Sequence, residues 1–60
     1  MRHTVTIQSA SGQTRDIPVH ALTQASAGTR ALRSQALRDG GRTAQDAVRA
    51  GWQVLHVHPG

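Results

Sequence analysis

His56 and His58 are the residues of this chain with the most specific chemistry in their spacing. They are two imidazoles in Trp52-Gln53-Val54-Leu55-His56-Val57-His58, a run rich in strand formers. On a strand that spacing puts both rings on one face, about 6.5–7 Å apart along the backbone, close enough to share one metal ion. Two ligands do not complete a site. His20 has the same facing but lies one strand further away, roughly 9–10 Å across the sheet, and His3 has the opposite facing. The expectation is therefore no metal centre and no cofactor within one copy, with metal-mediated pairing of two copies as the one arrangement that would complete a ligand set. Histidines lining an interface would also make association differ between about pH 5.5 and 7.5.

Arginine carries the second kind of chemistry. Seven Arg and no Lys stand against Asp16, Asp39 and Asp46, giving a formal net charge of +4. That balance favours polyanions or acidic protein surfaces. The arginines are dispersed, with Arg2 and Arg15 on strands, Arg30, Arg33 and Arg38 spread around one helical segment and Arg42 and Arg49 beyond it; Arg30, Arg33, Arg38 and Arg42 form the candidate nucleic-acid set. A single aromatic residue, Trp52, cannot build a multi-base stacking platform, so single-strand binding of the RNA-recognition or OB kind is not expected. Arginine-only, alanine-rich usage is equally what a GC-rich genome produces.

Catalysis has little to stand on. Asp16, His20 and the serines supply residue types of a nucleophilic triad, but no nucleophile elbow, paired acids or glycine-rich phosphate loop positions them. So short a chain can hardly supply a rigid pocket and its supporting shell, and the protein is expected not to be an enzyme.

The elements that must position these residues follow from pattern. His3 to Gln8 alternates, with His3, Val5 and Ile7 on one side; Ser9-Ala10-Ser11-Gly12 is a hairpin loop; Thr14 to Val19 alternates again, with Arg15, Ile17 and Val19 on one face. Pro18 cannot donate to a ladder and sends this second strand to a sheet edge. From Ala21 to about Arg38, Leu22, Ala25, Thr29, Leu32 and Ala36 recur at helical steps and are expected to form the apolar face, with Gly28 either weakening the helix or letting it pack closely. Thr43 and Asp46 cap a short second helix whose apolar side is Ala44, Ala47 and Val48, and Gly51 ends it. The last strand stops at Pro59-Gly60.

The order is β-β-α-α-β, an α+β fold in one domain over residues 1–60, with a three-stranded antiparallel or mixed sheet. The third strand most simply joins the free side of the first, which then lies in the middle, antiparallel to both neighbours, with the helices on one face. The last strand has two apolar parities, Leu55 with Val57 or Trp52 with Val54, and a one-residue slip exchanges them. Placing Leu55 and Val57 in the core keeps His56 and His58 out of it. The open face would then carry Trp52, Val54, His56 and His58 beside Thr4, Thr6, Gln8, Thr14 and Asp16, a docking surface with an aromatic anchor.

Composition sets the remaining bounds. Nine of the apolar residues are alanines, leaving five Val, four Leu and two Ile, so the core is thin. Small scaffolds without staples often rely on a second copy or a partner, and a homodimer is expected. Cysteine is absent, which excludes disulfides and thiolate zinc sites. No apolar run approaches the roughly 20 residues of a membrane span and no signal-peptide core follows Met1, so a cytoplasmic location without membrane contact is expected. The leading functional expectation is a non-enzymatic interaction module, of the kind phages and mobile elements use as accessory proteins or inhibitors. It would bind a larger protein or nucleoprotein complex through Trp52, Val54, His56 and His58 or through a strand edge. The alternative is a small basic DNA- or RNA-binding protein acting through Arg30, Arg33, Arg38 and Arg42.

Overall fold

The computed structural model describes all residues, 1–60. Strand β1 spans Arg2–Gln8, β2 Thr14–His20, helix α1 Gln24–Arg38, helix α2 Ala44–Arg49 and strand β3 Gln53–Pro59. The sheet order is β2-β1-β3, with both outer strands antiparallel to β1. This is the expected α+β arrangement, with Pro18 on an edge strand. Alternation in β1 drives Val5 and Ile7 into the core, both fully buried, against Ile17 of β2 and Ala27 and Ala31 of α1.

Helix α1 begins later than the apolar steps imply. Ala21 continues the β1–β2 ladder by donating its N–H to Met1 O at 2.8 Å, and Thr23 caps the helix by accepting from Ser26 N–H at 3.1 Å. Leu22 is left 88% exposed, and Ala25 and Thr29 also face solvent. The buried face is Ala27, Gly28, Ala31, Gln35 and Ala36, so of the expected face Ala36 is buried and Leu32 half-buried against the core, while its first three members are not. Close approach selects it: a Cβ on Gly28 would stand 3.4 Å from Val54 Cγ2, so the helix rests directly on β3. Gln35 joins this face because it is engaged on both sides, accepting from Arg15 Nη1 and donating to Asp39 Oδ2 at 2.9 Å.

Helix α2 packs on α1 through Ala47, with Ala44 half-buried and Val48, expected to pack, 47% exposed. Its capping box is complete: Asp46 N–H donates to Thr43 Oγ1, and Asp46 Oδ2 accepts from Thr43 N–H at 3.1 Å. Gly51 then turns the chain into β3 at φ +104°, where a Cβ would come within 2.8 Å of Ala10 Cβ.

Strand β3 resolves its two parities by using both. Val57 pairs with Val5, His56 with Thr6 and His58 with Thr4, whereas Val54 pairs with Ile7 and Gln53 with Gln8. Leu55 is the extra residue of a β-bulge and is 43% exposed. Val54 and Val57 therefore both face the helices, and Leu55, expected inside with Val57, does not. Deleting Leu55 is expected to leave the fold intact, because Val54 and His56 keep Ile7 and Thr6 as partners, with melting lowered by less than about 5 °C. Deleting Val57 instead sets His56 opposite Val5 in the core and should lower melting several times further. Equal losses in thermal melts of the two deletions would contradict the bulge.

Candidate functional site

The bulge divides the four residues expected to form one docking surface. Val54 is half-buried against Gly28, and Trp52 is half-buried against the core cluster, its backbone N–H donating to Ala47 O at 3.0 Å. Neither belongs to the open sheet face. His56 and His58 remain there, both exposed, their ring centroids 4.4 Å apart and their planes at 71°. They sit beside Thr6 and Thr4 of the central strand.

What is left on that face is polar and bonded largely within itself. Thr6 Oγ1 donates to Asp16 Oδ1 at 2.6 Å, and Gln8 Nε2 reaches Gly12 O at 3.4 Å. Thr6 is only 8% exposed despite its facing, because Asp16 and His56 flank it in the same row. His3 is drawn to the other side, into the core, with Nε2 3.2 Å from Ala21 O. A carbonyl partner requires a proton on Nε2, and Nδ1 is buried without a hydrogen-bond partner.

The arginines are arranged differently. Arg30, Arg33, Ser34 and Leu37 occupy positions i, i+3, i+4 and i+7 of α1, and together line a shallow depression of about 190 Å³ on its solvent side. Arg38 is exposed in the last turn, and Arg42 is exposed in the connection to α2. Sequence reasoning named the four arginines but missed Ser34 and Leu37 between them, although the same i+4 and i+7 steps mark both.

Electrostatics sharpen this side. All three aspartates take their hydrogen bonds from groups other than a guanidinium: Asp16 from Thr6, Asp39 from Gln35, and Asp46 from the backbone N–H groups of Arg42 at 2.9 Å and Thr43 at 3.1 Å. Those two amides, Arg42 first and then Thr43, hold the Asp46 carboxyl below its ordinary range. An arginine side chain enters a hydrogen bond once, Arg15 to Gln35. The guanidinium groups of Arg2, Arg30, Arg33, Arg38, Arg42 and Arg49 are exposed with their donors free.

A larger depression, about 310 Å³, lies between the end of α1 and α2, lined by Ala36, Gly41, Ala47 and Ala50 with Asp39 and Asp46. Both acids are already engaged there. No helix is long and apolar enough to cross a membrane. Compared with protein-family models, curated proteins and solved structures, the chain matches none.

Proposed function

We propose that this protein is a small non-catalytic module that binds nucleic acid through the solvent side of α1. Arg30 and Arg33 contact backbone phosphates, and Arg38 and Arg42 extend the basic track past the helix end. One observation carries the reading: every aspartate is hydrogen-bonded internally to a neutral donor, whereas six arginines present free guanidinium donors. Guanidinium is the group that pairs bidentately with phosphate, and backbone contacts of this kind position a protein without reading sequence. A docking partner for the open sheet face is less well supported, because the aromatic anchor expected there packs against the core instead.

The test is binding of a random-sequence duplex followed by fluorescence anisotropy. Four phosphate contacts give a slope of log K against log salt of about −3.6, so affinity should fall on the order of 10²-fold between about 50 and 200 mM salt. Failure to bind at the lower salt removes the proposal. An acidic protein partner would be the surviving use of the same arginines.

A further inference from the structure

The two edges of the sheet are built differently, and His56 and His58 lie on the strand at the less charged one, between the bulge at Leu55 and the terminal Pro59. Ala21 N–H donates to Met1 O, so in the antiparallel ladder Val19 and Ile17 bond to β1 while His20, Pro18, Asp16 and Thr14 turn their peptide groups outward. Pro18 removes a donor from that outer row, and Arg15 and Asp16 add charge to the strand, both devices that discourage further pairing. On the other side Gly60 N–H donates to Arg2 O at 2.7 Å. The same alternation directs the peptide groups of His58 and His56 to β1 and leaves the N–H and C=O of Val57 facing outward. From Gln53 to His58 this strand has no proline, aspartate or arginine, and it carries exposed Leu55. His56 and His58 also bring two imidazoles together on the open face. Two imidazoles on one tetrahedral ion, at metal–nitrogen distances of about 2.0–2.1 Å, have ring centroids about 5 Å apart, within about 1 Å of the 4.4 Å between His56 and His58. Within one copy no group of three His, Cys, Asp or Glu side chains can hold an ion.

We propose that β3 pairs antiparallel with β3 of a second copy about Val57, and that the paired edge closes a four-histidine site for a zinc-type divalent ion. The register follows from the outward peptide groups. Val57 exchanges both backbone bonds with its counterpart, and the bulge residue Leu55 falls opposite the counterpart of Pro59. His56 then lies opposite the second copy's His58 in a non-hydrogen-bonded pair, where Cα atoms approach to about 4.5 Å. Opposite residues of an antiparallel pair share a face, so all four rings project from the open face, and both helical layers fall together on the other. The inference stands on the β3 edge and is independent of the arginines.

The experiment uses the untagged chain in native mass spectrometry and sedimentation, titrated with Zn²⁺. The expected result is a change from the mass of one chain to that of two, with one ion per pair, reversed by EDTA. His56→Ala/His58→Ala, two exposed positions whose fold is checked by circular dichroism, should abolish the zinc response. Leu55→Lys, which puts charge on the edge, should weaken pairing at least tenfold. A chain that stays monomeric at every zinc concentration overturns the proposal. So do a dimer indifferent to zinc and an ion bound one per monomer.

Discussion

Replacing Trp52 by alanine is expected to lower the melting temperature by about 10–20 °C, or to unfold the chain outright. Trp52 is the only aromatic residue, and it packs against a cluster otherwise made of Val5, Ile7, Ile17 and three alanines. Truncating a buried aromatic costs about 3–5 kcal/mol, and half-burial places this position nearer 2–3. A domain of this length has roughly 3–9 kcal/mol in total, so that loss is a large fraction. For so short a chain each kcal/mol moves the melting point by about 4–8 °C. Trp52→Phe should recover most of the loss, since the contact is apolar and the structure assigns the indole N–H no hydrogen bond. Thermal melts of the two variants decide the matter: an unperturbed Trp52→Ala melt would return the indole to the surface and with it the docking face expected from sequence. If the melt collapses as expected, loss of any binding activity in this variant reports unfolding and not a lost contact.

That contrast marks where sequence reasoning stops. Element order, strand order and both ends of α2 were legible because their signals are local: Thr43 three residues before Asp46, Gly51 after the last turn, Pro18 in the strand left at an edge. The facing of β3 was not. Both apolar parities were visible in the residues, but a bulge that lets Val54 and Val57 both face inward is decided by the fit to Ile7 and Val5 across the ladder, which no local pattern records. For a related reason the apolar face of α1 was misplaced over its first half, though Leu32 and Ala36 do pack inward. Counting hydrophobic steps favoured Leu22, Ala25 and Thr29, whereas the helix lies where small side chains permit contact with Val54, and buries Gln35 because Arg15 and Asp39 satisfy it. The arginines were legible as a helical set, but their freedom from carboxylates is a property of three dimensions, since it depends on Thr6, Gln35 and two backbone amides having taken the acids first.

Reversing charge on α1 is expected to abolish nucleic-acid binding while leaving the fold unchanged. Arg30 and Arg33 are exposed, share one depression and enter none of the side-chain hydrogen bonds, so Arg30→Glu/Arg33→Glu removes no internal contact. Each substitution changes the charge by −2, and two take the formal net charge from +4 to 0. The basic track loses two of its four phosphate contacts and gains two repulsive charges beside Arg38 and Arg42, so binding at about 50 mM salt should fall at least 10²-fold. The milder Arg30→Ala/Arg33→Ala separates contact from general charge: if both guanidinium groups touch phosphate, the salt slope should flatten by about 1.8. Measured in zinc-free buffer, His56→Ala/His58→Ala serves as the control, because it alters the opposite face of the sheet and should leave the slope alone. An unchanged slope in the arginine pair, alongside weakened binding, would mean that Arg30 and Arg33 contribute only long-range attraction and that contact is made by the other exposed arginines, Arg2, Arg38, Arg42 and Arg49.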